Sequence, residues 1–218
     1  MSRGISKSAG VAFFLAAALS GCIFSAVVDV QAPVSSAPQG SAFVKITDIH
    51  DLRHFAVNPE RPSSPSLGDA ADVANPAVTA RALGRKRNGY GGGAGDLTLP
   101  EGRTVDDVVR DTVRKALQDK GYVLVDKDSP NYAAAAPLEI DVERFWAWMV
   151  PEGVVAVYFN AAVVLKGDAL ISGNGGPIEV QTVKVTPFLT DGAFRDAIER
   201  GLVDLAAKMG ERLKAPSA

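Results

Sequence analysis

The sequence predicts an α+β fold, a two-layer sandwich with a mostly antiparallel sheet and two amphipathic helices on one face. Three observations predict it. Apolar residues recur at helical spacing in two long segments, 104–120 and 192–213. Leu138, Ile140 and Val142 alternate with Glu139, Asp141 and Glu143, the two-residue period of a half-buried strand. The order is strand, short helix and loop, helix, strand, three-strand meander, helix, which lets one helical layer bury one face of one sheet.

Each element has its own warrant. Residues 1–21 read as a cleaved export signal. Arg3 and Lys7 make a positive start, Ala9 to Ala18 is apolar, and small residues precede Cys22. That apolar run is shorter than the roughly 20 residues a bilayer crossing needs. Residues 22–41 read as a tether, with Pro33, Pro38, Gly40 and several serines. Val27-Val28-Asp29-Val30 could pair there as a short strand. Residues 42–218 then form one domain with a Gly/Pro-rich insertion around 50–100.

Within that domain, Ala42 to Ile49 is the first strand, and His50 to Asp69, with Pro59, Pro62 and Pro65, is a loop. Asn75-Pro76 starts a short helix reaching about Leu83, because asparagine caps and proline fits the first helical position. Gly84 to Asp96 holds Gly89, Gly91, Gly92, Gly93 and Gly95 and reads as a loop. Thr104 and Asp107 make a capping box for the first long helix, and Gly121 fits the position just past its end. Tyr122 to Val125 is a buried strand. Leu138 to Trp148, Val155 to Leu165 and Ile178 to Phe188 form the meander, with turns at Pro151-Glu152-Gly153 and Gly173 to Pro177. The apolar phase shift between Val180 and Val183 predicts a bulge. Phe194, Ile198, Leu202, Leu205, Met209 and Leu213 mark the buried face of the last helix.

Composition bounds the function. The net charge is −2, and loss of residues 1–21 removes two cations and no anion. A mildly acidic body argues against nucleic-acid binding. Cys22 is the single cysteine, so no internal disulfide can form. No G-x-S-x-G nucleophile signature, phosphate-loop ending or dinucleotide fingerprint occurs, and no cofactor is expected. His50 and His54 lie four apart. In a strand that spacing is about 13 Å, too far to share a metal.

Leu19-Ser20-Gly21-Cys22 resembles the lipobox of bacterial lipoproteins. The resemblance implies acylation of Cys22, cleavage before it, and anchoring to an envelope membrane through the acyl chains. Ile23 after the cysteine implies sorting to the outer membrane, facing the periplasm. The body resembles the YajG-like group of small outer-membrane lipoproteins. The resemblance rests on Val44-Lys45-Ile46-Thr47-Asp48, on Leu117-Gln118-Asp119-Lys120-Gly121-Tyr122, on the alternating sheet, and on the closing helix around Asp196-Ala197-Ile198. The segment Gly84 to Asp96 departs from that pattern. No catalytic residues come with the group, so the resemblance implies an envelope location and an α/β sandwich.

Two sets of residues remain as candidate sites. Arg81, Arg85, Lys86 and Arg87 sit where the short helix should end, facing its negative pole. They are either a capped helix end with a solvated loop, or an anion or partner site in which guanidinium forks meet phosphate. Trp146 and Trp148 share one strand face. They are either core or a docking strip for protein or lipid. The expected function is that of a non-enzymatic accessory or scaffold subunit binding an envelope protein partner. The alternative is a binder of phospholipid or lipopolysaccharide headgroups, using the basic Gly-rich loop.

Overall fold

A computed structural model describes residues 25–37, 40–88, 90, 92–152, 154–173 and 175–216. Cys22 and the signal segment 1–21 lie outside them. The strands are β1 (Ala26–Val27), β2 (Ala42–Asp51), β3 (Ala56–Val57), β4 (Ser66–Leu67), β5 (Ala82–Arg87), β6 (Gly93–Thr98), β7 (Tyr122–Leu124), β8 (Ala136–Glu152), β9 (Val154–Lys166) and β10 (Ile178–Thr186). The helices are α1 (Ala70–Val73), α2 (Pro76–Thr79), α3 (Val105–Asp119) and α4 (Asp191–Arg212).

The long strand β8 is the spine. On one edge its first half pairs in parallel with β2, which pairs in parallel with β7. Further along the same edge, Ala147 and Trp148 pair in parallel with Gly84 and Arg85 of β5, which continues antiparallel to β6 and then parallel to β1. On its other edge β8 forms an antiparallel hairpin with β9, and β9 another with β10. The α+β class holds, but the sheet is mixed rather than mostly antiparallel. Neither β2 nor β5 is followed at once by β8. Each joins β8 only after a helical crossing, and that connection makes the pairs parallel.

The helix starts follow the sequence. Thr104 accepts a hydrogen bond from Asp107 N at 3.3 Å while Asp107 accepts one from Thr104 N at 2.8 Å, completing the capping box. Gly121 has φ +93°, the left-handed geometry that closes α3. Residues from α3, such as Val105, Val109 and Leu117, and from α4, such as Phe194, Ile198 and Leu202, share one core with Leu138, Ile140, Phe145 and Phe159 of the sheet. Both long helices therefore cover one face.

Several expectations are corrected. Asn75 does cap α2, accepting from Ala77 N at 3.1 Å, but that helix ends at Thr79 and the chain enters β5 at Ala82. The segment expected as a tether packs instead: Val28 and Val30 are buried in the main core and Ala26–Val27 pairs with β6. The β9–β10 register runs unbroken from Ile178 to Thr186, so no bulge lies there. Thr182 takes the buried position in place of an apolar residue and donates its hydroxyl to Ala197 O at 2.7 Å, leaving Val183 to face outward. Shifts occur elsewhere, at Ile46/Asp48 of β2, at Val142/Arg144 of β8, and at Ala82/Gly84 and Lys86/Arg87 of β5.

The opposite sheet face is covered too. Trp146 is 1% exposed and Trp148 7%. They pack with Leu67 and Ala82, joined by Phe55, Val73 and Val78 from the 52–80 segment. Phe55 meets Trp146 edge-on at 6.0 Å, Tyr158 stacks on Trp148 at 5.4 Å, and the Trp146 indole N–H donates to Pro62 O at 3.2 Å. The tryptophan pair is a second core, not a docking strip, because the proline-rich insertion folds over it and adds a partial third layer.

A guanidinium cleft on the outer sheet face

The basic cluster is neither a helix cap nor a solvated loop. Residues 82–87 form a strand buried along its whole length. The strand can sit close to β8 because Gly84 has no side chain: a Cβ there would lie 2.4 Å from Ala147 O. The chain turns at Asn88, whose side-chain oxygen accepts from Tyr90 N at 3.0 Å and Gly92 N at 2.9 Å, and it returns as β6.

Strand alternation then sorts the cations. Lys86 faces α4 and pairs with Asp191 in its first turn at 2.6 Å. Arg81, outside the strand, donates Nε and Nη2 to Leu99 O at 3.0 and 2.7 Å. Arg85 and Arg87 alone come together, on the outer face beside Pro59, Glu60, Tyr90 and Gly93, which line an open cleft with them. The structure thus unites two of the four expected residues and removes the other two to separate contacts.

Arg85 is the unusual member. Its side chain is 7% exposed, and Asp96 Oδ1 lies 3.5 Å from its Nε, an ion pair too long for a good hydrogen bond. Its Nε and Nη1 have no hydrogen-bond acceptor. The guanidinium lies flat against Gly93, where a Cβ would come within 2.1 Å of Nη2, and within reach of Gly68. Asp96 also accepts from Gly68 N at 3.3 Å. Burial pushes the Asp96 carboxyl above the ordinary carboxylate range, against the opposing pull of the Gly68 bond and the Arg85 charge. Arg87 donates Nη2 to Pro59 O at 3.2 Å; burial, then the charge of Arg85, press its pKa below the usual guanidinium value. Guanidinium stays charged in proteins, so two cations face one cleft that the Glu60 carboxylate also lines, with the half-buried Asp96 beside Arg85.

Arg53 is the informative contrast, and sequence reasoning passed over it. It is also buried, but every donor is used: Asp51 takes Nε at 2.8 Å and Nη2 at 2.6 Å, Ala82 O takes Nη1 at 2.6 Å, and Thr79 O takes Nη2 at 2.8 Å. Arg53 ties the insertion to the sheet. The Asp51-x-Arg53 spacing was its one sequence signal.

A second polar cluster lies on the same outer face at β2, β8 and β9. The β2 register shift after Ile46 turns Asp48 and His50 outward; unbroken alternation would have sent Asp48 to the core with Val44 and Ile46. His50 Nδ1 lies 3.1 Å from Asp141 and 3.3 Å from Glu139, and Nε2 3.0 Å from Asp48. Lys166 Nζ reaches Glu139 at 3.0 Å and Asp141 at 2.8 Å. The hydrogen bond with Asp141, chiefly, raises the His50 pKa, and Lys166 holds Asp141 below the usual carboxylate range. His50, Glu139 and Asp141 could together ligate a metal, since their donor atoms fall within 4.8 Å of one another. Lys166 already supplies a positive charge to both carboxylates, so the cluster is complete as an ion-pair network. His54 stands apart, exposed and in no such group.

No helix among the described residues is long and apolar enough to cross a membrane. No family model and no curated protein matches the sequence. Among solved structures, a protein of Xanthomonas campestris described under the family model DUF330 superposes with a TM-score of 0.43 at 12% identity, covering 86% of this chain and 94% of its own. A second, described only as an uncharacterized protein, gives 0.36 at 12% identity, covering 82% and 98%.

Proposed function

We propose that this protein is a non-enzymatic envelope lipoprotein, acylated at Cys22, that holds an anionic headgroup of the phosphate-ester type in the Arg85–Arg87 cleft. One observation carries the reading. Arg85 is buried, its Nε and Nη1 lack acceptors, and it borders an open cleft that Arg87 shares. A buried charged donor left unsatisfied costs about 1–3 kcal/mol or more. A phosphate ester in the cleft would answer the two guanidinium charges with charge-assisted, fork-shaped hydrogen bonds, reaching Arg85 Nε and Nη1 once that side chain turns outward. The lipobox residues Leu19 to Cys22 supply the envelope context in which such headgroups abound.

The accessory-subunit reading keeps one support, although the tryptophan strip, expected to dock protein or lipid, is buried. Among the described residues β10 pairs only with β9, which leaves an open sheet edge that a partner strand could extend. Crosslinking in the native membrane tests it, and a partner joined through β10 is the outcome that would favour it.

The headgroup reading is tested by calorimetric titration of glycerol 3-phosphate into the full chain carrying Cys22→Ser, and into the same chain with Arg85→Gln. Loss of one charge-assisted fork, worth about 1.5–3 kcal/mol, should weaken binding about 10- to 150-fold. No binding to the unmutated cleft, or equal binding after Arg85→Gln, sinks the proposal.

A further inference from the structure

The directions of five strands bring unlike features to one end of the molecule. β5 and β8 end there, β6 and β9 begin there, and β10 ends there. That end carries the β5–β6 hairpin with Tyr90, the β8–β9 hairpin with Val154, and the stretch after β10 with Phe188. Tyr90 is fully exposed, Phe188 75%, Val185 61% and Val154 53%. With Val183 at 39%, half of the ten large apolar side chains exposed among the described residues gather here. Exposed apolar side chains concentrated at one end suit an interaction surface better than the same number scattered over the molecule. Cross-strand register ties the patch to the cleft, since Arg85, Trp148, Tyr158 and Val183 stand in one row across β5, β8, β9 and β10.

The N-terminal segment arrives from the same end. β1 runs parallel to β6, so the chain before Ala26 points back toward the Gly93 end, and Asp96 N donates to Ser25 Oγ at 3.0 Å. Ser25 is three residues from Cys22. Three residues reach at most about 11 Å. Because Val28 and Val30 are locked in the core, no longer leash can pay out.

We propose that this end, with Tyr90, Val154, Val185 and Phe188 at its tips, rests on the lipid surface that holds the acylated Cys22, and presents the Arg85–Arg87 cleft to headgroups there. The inference rests on lipidation of Cys22 and deepens the headgroup reading by giving it an orientation. A short anchor confines the tips to the interface, where each buried apolar contact adds affinity to that of the acyl chains. Of the carboxylates near this end, Asp191 is paired with Lys86, and Glu60 lines the cleft with Arg85 and Arg87.

The test uses the mature lipidated protein in phosphatidylglycerol–phosphatidylcholine vesicles. Single cysteines are placed by Phe188→Cys, Val154→Cys and, at the far end after β9, Ala169→Cys. Each is labelled with an environment-sensitive dye, and nitroxide-bearing lipids are added as quencher. Acylated Cys22 takes no label. Blue-shifted emission and loss of most of the fluorescence at 188 and 154, with neither at 169, is the expected result. Quenching at 169, or at none of the three, overturns the orientation, and so does a Cys22 peptide whose mass shows no acyl chain. Failure of the headgroup reading is separately visible: soluble glycerol 3-phosphate would not bind, while the quenching pattern would stand.

Discussion

Replacing Arg85 by Met together with Asp96→Asn should make the protein more stable and weaken the proposed phosphate-ester binding, as Arg85→Gln does. Arg85 and Asp96 face each other across β5 and β6, both largely buried, and their closest approach is 3.5 Å. Two guanidinium nitrogens and Asp96 Oδ1 lack hydrogen-bond partners. Each unsatisfied buried donor costs about 1–3 kcal/mol, whereas the long ion pair returns less than a well-formed one. Methionine reproduces the arginine side chain only as far as the Nε position, which removes the unsatisfied nitrogens, and asparagine can still accept from Gly68 N, which now bonds Asp96 at 3.3 Å. Replacement of a buried ion pair by apolar groups is typically neutral to stabilising, by up to about 4 kcal/mol. In a domain of this size each kcal/mol raises Tm by about 2–4 °C. Urea denaturation of the Cys22→Ser chain measures the change, with the slope checked for constancy. A loss of more than about 1 kcal/mol would refute the reasoning, for it would mean that Arg85 serves the fold as Arg53 does.

Three further outcomes follow from other regions. Gly201→Ala places a Cβ 2.3 Å from Phe159 Cδ1 and should destabilise by about 1–3 kcal/mol, with part of that recovered when Phe159→Leu makes room; denaturant midpoints check both. Val30→Ala should cost about 2 kcal/mol if residues 25–30 are part of the core, and nothing measurable if they are a loose tether. His50 has a folded pKa raised above its unfolded value of 6.5, chiefly by Asp141. Its stabilising contribution is therefore complete below pH 6.5 and fades as pH rises through the higher folded value. An NMR titration of the His50 ring protons should show that upward shift, and Asp141→Asn should reduce it.

The long elements were legible in the sequence, since their signals are local. Thr104 with Asp107 and the apolar stripe from Val105 to Leu117 define α3 without help from the rest of the chain, as Phe194 through Leu213 define α4. Strand partners were less legible. Nothing in Ala42 to Ile49 states that β2 will lie parallel to the first half of β8 while β5 takes the second half of the same edge. That arrangement depends on β8 being long enough for two neighbours in succession. Trp146 and Trp148 share a face, as alternation required, but their burial depends on where the proline-rich insertion folds.

The basic cluster shows why a buried polar site resists sequence reading. Ala82-Leu83-Gly84-Arg85-Lys86-Arg87 has no two-residue apolar period, and consecutive cations normally signal solvent. Each cation of the strand meets a particular neighbour outside it. Asp191 answers Lys86, Asp96 partly answers Arg85, and Pro59 O answers Arg87. Gly84 and Gly93, which read as loop residues, are needed for close approach instead, the first to Ala147 of β8 and the second to the Arg85 guanidinium. The same glycines that suggested a loop are what allow charged residues into a central strand. Arg85 keeps two buried guanidinium nitrogens, Nε and Nη1, that the fold does not engage, and that remainder sets its cleft apart from the saturated contacts of Arg53.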